Sequence, residues 1–124
     1  MPKNTIGEGP GFDFHLVTKD LPPGSARVEL NGHFTVTYAE HFKTAVKQLL
    51  SDGIQCLELD CANLTYLDSP AISAIVALQK ACEEAGAKMR IVNPRKLVRH
   101  ILACAHLDGS IDIGPALEKT GGPP

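Results

Sequence analysis

Apolar positions change their period several times along the chain, and each change marks an element. From Phe12 to Thr18 apolar and polar residues alternate, the period of a strand with one face inward. Pro22-Pro23-Gly24 makes a turn. Ala26, Val28 and Leu30 then alternate with Arg27 and Glu29, predicting a second strand that Asn31-Gly32 stops. Next the period lengthens to that of a helix. Thr37-Tyr38-Ala39-Glu40 has the spacing of a capping box, and Ala39, Phe42, Val46 and Leu49 form the stripe behind it, ending near Gly53. Strands are expected again over Cys56 to Asp60 and Lys88 to Val92. Asn93-Pro94 opens a last helix in which Leu97, Val98, Ile101, Cys104 and Ala105 face in, while Arg95, Lys96, Arg99, His100 and His106 face out. A short apolar stretch around Ile111 to Ile113 predicts a closing strand.

The order is ββαβαβα(β). That is an α/β fold with a mixed sheet of about four to five strands, because a hairpin leads into βαβ units with helices over the sheet. Residues 12–113 form one domain. Residues 1–11 are polar and Gly-rich, residues 114–124 are rich in Gly and Pro, and both are expected to be flexible.

The helix between the third and fourth strands starts at an unusual junction. Asp60, Asn63, Thr65, Asp68 and Ser69 crowd its approach. Ser69 is a good N-cap, Pro70 suits the first helical position, and Gly86 supplies the stop. Ala71, Ala74, Ile75, Leu78, Ala81, Cys82 and Ala85 share the core stripe. Ile72 and Val76 fall instead among polar residues, beside Ser73. Such a pair on a polar face reads either as a docking surface or as a spot covered by a neighbouring loop.

Composition narrows the function. The 124 residues are 44% hydrophobic and 21% charged, with net charge −2 and a pI near 6.2. Without a basic run or a stacking surface, nucleic acid is not an expected partner. No apolar stretch reaches the roughly 20 residues of a membrane span, and no signal peptide is visible, so the expected location is cytoplasmic. Cys56, Cys61, Cys82 and Cys104 form no C-x-x-C, and they read as small buried hydrophobes in a reducing compartment.

Enzyme chemistry is not expected. Neither a P-loop nor G-x-G-x-x-G is present, and no cofactor is implied. Ser69 has no evident His partner, and a hydroxyl without a base is a poor nucleophile. His100 and Cys104 have a helical spacing with His106 following, but one faces out and the other in, which argues against a metal site.

Taken in order, Leu30-Asn31-Gly32, Leu57-Glu58-Leu59-Asp60, Tyr66-Leu67-Asp68-Ser69, Ala85-Gly86-Ala87 and Val92-Asn93-Pro94 resemble a STAS domain of the anti-sigma-factor antagonist type. The resemblance implies a bacterial partner switch in transcription regulation. Ser69 would be phosphorylated by an anti-sigma factor, a serine kinase with a histidine-kinase-like ATPase fold, and a PP2C-type phosphatase would reset it. Asp68 would be the motif neighbour, with Ile72, Ser73 and Val76 on the docking face. The helix N-terminus would favour the phosphate and Asp68 would oppose it. The chain departs from the usual Asp-Ser, Ser or Thr, Gly pattern at Pro70 and Ala71. That departure fits an alternative, a non-phosphorylated STAS scaffold in a lipid-transport or signalling complex.

Overall fold

A computed structural model describes residues 3–9, 11–18, 20–107 and 111–114. Its strands are β1 (Lys3–Gly9), β2 (Phe12–Val17), β3 (Ser25–Phe34), β4 (Cys56–Leu67), β5 (Lys88–Val92) and β6 (Asp112–Gly114). Its helices are α1 (Val36–Ser51), α2 (Ser69–Ala85) and α3 (Lys96–Cys104). The six strands lie in one sheet in chain order, with β1, β2 and β3 antiparallel and β3 to β6 parallel. The α/β class and the alternation of elements are as expected. The additional strand is β1, drawn from the stretch 1–11 that had been expected as a loose arm. Most of the expected C-terminal tail lies outside the described residues.

Two strands run further than the sequence pattern predicts. β3 does not stop at Asn31-Gly32 but continues to Phe34, with irregular register against β4 between Glu29 and Asn31 and between Gly32 and His33. Gly32 makes this passage possible. Its φ is +95°, and a Cβ there would collide with the carbonyl of Gly11, which accepts from the His33 N–H at 2.8 Å. Asn31 is satisfied across the sheet by Asp13 at 2.7 Å. β4 likewise carries on past Asp60, where the sequence pattern ends the strand, through Asn63 to Leu67. Asp60 accepts from the Ala62 N–H at 3.0 Å, so its polarity is met locally.

Ala26, Val28 and Leu30 on β3, Leu57 and Leu59 on β4, and Met89 and Ile91 on β5 are all buried and aligned by the strand register. The chain's four phenylalanines gather at one end of this core. Phe12 stacks on Phe34 at 4.9 Å, and Phe42 of α1 meets Phe34 at 4.8 Å and Phe14 at 5.3 Å, both edge-on. The intervening strand positions carry a charge ladder. Arg27 bonds Glu58 at 2.9 Å, Glu58 meets Arg90 at 3.5 Å, and Arg90 bonds Asp112 at 2.7 Å. Arg27 and Glu58 are buried, so the pair is strongly structural; removing one partner of such a pair costs about 3–5 kcal/mol.

The helices follow the predicted stripes with three corrections. α1 begins at Val36, and the capping box does not form: Thr35 is the N-cap without a side-chain bond, while Glu40 pairs with Lys43 at 2.9 Å. In α2 the stripe holds from Ala71 to Cys82, but Ala85 is exposed, and Gly86 ends the helix at φ 72° as expected. In α3 the buried residues are Val98 and Leu102, which turns Leu97 and Cys104 out to solvent. Val98 and Leu102 lie one turn apart and fix the helix phase, and Leu97 sits about 100° away from Val98. Among the described residues no helix is long and apolar enough to cross a membrane.

Candidate functional site at the start of the second helix

The junction between β4 and α2 is organised by Asp68. It is Asp68, not Ser69, that caps α2: its backbone is extended and its Oδ1 accepts from the Ala71 N–H at 3.0 Å. Its Oδ2 accepts from the Val36 N–H at 2.9 Å, the first residue of α1. One carboxylate therefore caps two helices, which explains why α1 needs no cap of its own. The Asp68 N–H donates to the Phe34 carbonyl at 3.2 Å, tying the ends of β3 and β4 together.

This one-residue shift changes the position of Ser69. It stands at the first helical position, exposed, and no hydrogen bond of its hydroxyl occurs among the described residues. The donors around it are already committed. Pro70 has no N–H, the Ala71 N–H goes to Asp68 Oδ1, and the Ile72 N–H goes to the Asp68 carbonyl at 3.0 Å. An anion on Ser69 would thus find no free N–H at Pro70, Ala71 or Ile72.

Beside Ser69 lies an open groove of about 370 Å³ between α1 and α2, lined by Val36, Ala39, Glu40, Lys43, Pro70, Ser73 and Ala74. Ser73 is exposed on it, and Val76 is 43% exposed one turn further along α2. Ile72 is half-buried and packs on the core, so it offers less surface than its place among polar residues suggested. Two apolar residues join the surface that the sequence reading left out. Val36 is 62% exposed beside Asp68, and Tyr66 is 42% exposed with its ring 6.0 Å from that of His33. The available signal for Val36 was an apolar residue just before the helical stripe of α1.

The other candidate chemistry is arranged differently from expectation. His100 and Cys104 both face out, with Nε2 and Sγ 3.5 Å apart, and no group of three or more His, Cys, Asp or Glu converges among the described residues. Cys61 and Cys82 are buried as expected, whereas Cys56 is half-buried and Cys104 exposed. Burial, and secondarily the Asp60 charge, pushes the Cys61 thiol up to about 12; burial and then Glu83 raise that of Cys82.

Several solved structures similar to this one carry the same architecture. The anti-sigma factor antagonist SpoIIAA, known from Bacillus in phosphorylated and unphosphorylated forms, superposes in the latter with a TM-score of 0.71 at 15% identity, over 85% of this chain and 89% of its own. An anti-sigma factor antagonist from Mycobacterium paratuberculosis gives 0.71 at 17% identity, covering 89% and 92%. A sulfate transporter family protein from Wolinella succinogenes gives 0.70 at 16% identity, covering 78% and 81%. No curated protein matches the sequence. The model of the STAS domain matches residues 18–120, so the chain belongs to the STAS domain family.

Proposed function

We propose that this STAS domain is an anti-sigma factor antagonist that works by partner switching, with Ser69 as its phosphoacceptor. The observation that carries this reading is the exposed Ser69 hydroxyl, left uncommitted because Asp68 does the capping. A serine used as a cap would have to give up its bond before a kinase could use it. Here nothing needs to be broken. Pro70 is compatible with the same geometry, since it occupies the second helical position without a lost bond.

Unphosphorylated, the surface formed by Ser73, Val76, Val36 and part of Ile72 docks an anti-sigma factor, a serine kinase of the histidine-kinase-like ATPase type. Phosphorylation adds about −1.5 to −2 charges at that surface. Because Pro70 has no N–H and those of Ala71 and Ile72 are taken, the phosphoryl group is presented toward the partner. It also lies next to the Asp68 carboxylate, which adds to the negative field. A desolvated dianion at a tight interface supplies the several kcal/mol that a firm two-state shift requires. A PP2C-type phosphatase restores the binding form. No catalytic residue or cofactor enters this scheme.

A second reading is a non-phosphorylated STAS scaffold in a lipid-transport or signalling complex. It is favoured by Pro70 and Ala71, which replace the second hydroxyl and the Gly of the usual pattern. The readings separate by titration with the cognate kinase. The switch requires Ser69→Asp to lose binding while Ser69→Ala keeps it. The scaffold requires Ser69→Ala and Ser69→Asp to assemble like wild type while Val76→Glu does not.

A further inference from the structure

None of the three helices has an acidic first turn, but only α3 opens on cations. Its N-cap is Arg95 with no side-chain cap bond. Lys96 and Arg99 stand in that turn, at the positive end of the helix dipole, where cations are disfavoured. Acidic residues outnumber Lys and Arg by 14 to 12 in the chain, yet none occurs from Asn93 to Leu107. Arg95 is engaged, its Nε donating to the Ala62 carbonyl at 2.7 Å. Lys96 and Arg99 form no ion pair among the described residues. Leu97 projects beside them, 52% exposed. A cationic cluster that weakens its own helix, with an unburied leucine in it, is the kind of local inconsistency that marks a functional surface.

We propose that Lys96, Leu97, Arg99 and His100 form a docking surface for an acidic segment of a partner protein, one that seats an apolar side chain on Leu97 between flanking carboxylates. Charge complementarity sets the sign of the partner. A bilayer is a poor fit because the apolar stripe of α3, Val98 and Leu102, is already spent in the core, leaving only Leu97 to insert. Nucleic acid is a poor fit because no Phe, Tyr or Trp lies between Asn93 and Leu107 to stack a base. The surface is separate from Ser69. Arg95 is held at Ala62, and the extended strand from there to Ser69 spans roughly 20 Å. The proposal stands whether or not Ser69 is a switch.

The test places a photo-crosslinking amino acid at His100 of the full chain, in the cells that make it. The expected product is a protein adduct whose crosslinked peptide is rich in Asp and Glu. Its yield should fall about tenfold or more with Lys96→Glu and Arg99→Glu combined. The same double variant should melt higher than wild type, since carboxylates suit a helix start; a purely structural role for the two cations predicts a lower melting temperature. An adduct to lipid or nucleic acid, to a second copy of this chain, or to a peptide without acidic residues would overturn the proposal. So would no adduct at all, or one whose yield survives charge reversal.

Discussion

The starts of α2 and α3 follow successive parallel strands of one sheet, yet they are built in opposite ways. At α2 a single carboxylate, Asp68, caps two helices at once, by bonds of 3.0 and 2.9 Å. At α3 there is no side-chain cap bond, and Arg95, Lys96 and Arg99 stand at the start. The first start leaves a neighbouring hydroxyl and an apolar groove exposed. The second gives up stability to display charge.

The comparison can be broken most forcefully at Asp68. Asp68→Ala removes both caps and should destabilise the fold by about 2–4 kcal/mol, while Asp68→Asn retains one acceptor and should cost about half of that, both read by urea unfolding. If Asp68→Ala unfolds like wild type, the double cap is not what holds the junction. Next in size is Ser69→Asp, which under the proposed switch should weaken binding of an anti-sigma kinase by about 10- to 100-fold in calorimetry without loss of stability, because the hydroxyl holds nothing. At α3 the sign reverses. Lys96→Glu alone should raise stability by about 0.3–1 kcal/mol, measured by the same unfolding curves.

The thiols give the finest contrast. Cys104 on α3 should react with a thiol reagent in the native protein, and Cys61 at the root of the β4 polar run only after unfolding. The native value of about 12 for Cys61 exceeds the ordinary 9.0, so the folded state holds this proton more tightly than the unfolded chain. The stability it contributes is complete below about pH 9 and declines as pH rises from there toward 12. Cys61→Ala should flatten that alkaline slope in pH-dependent unfolding.

Periodicity made most of the fold legible, and the parts it hid have a common cause. The stripes Ala39, Phe42, Val46 and Ala71, Ala74, Ile75, Leu78 are local and survive folding unchanged. Asp60 and Asn31 read as strand ends and Arg27 as the polar face of a strand because their partners, the Ala62 N–H, Asp13 and Glu58, are supplied only by the turn and the sheet register. The junction with Ser69 was visible, but not the choice of cap. Asp and Ser are both good caps, and the contact that favours Asp68 is the Val36 N–H, 32 positions away in sequence. The phase of α3 was misjudged because Leu97, Val98, Ile101 and Leu102 offer two overlapping stripes, and the core accepts only the one centred on Val98 and Leu102.

The central claim is that Ser69 is a chemical switch rather than a cap. Intact-mass spectrometry of the protein isolated from its native cells tests it most directly, followed by peptide mapping. A species heavier by about 80 Da, the mass of one phosphoryl group, with the modification on Ser69, is the result predicted. Protein that stays unmodified through growth and stress, or a phosphoryl group carried elsewhere while Ser69 remains bare, would contradict it.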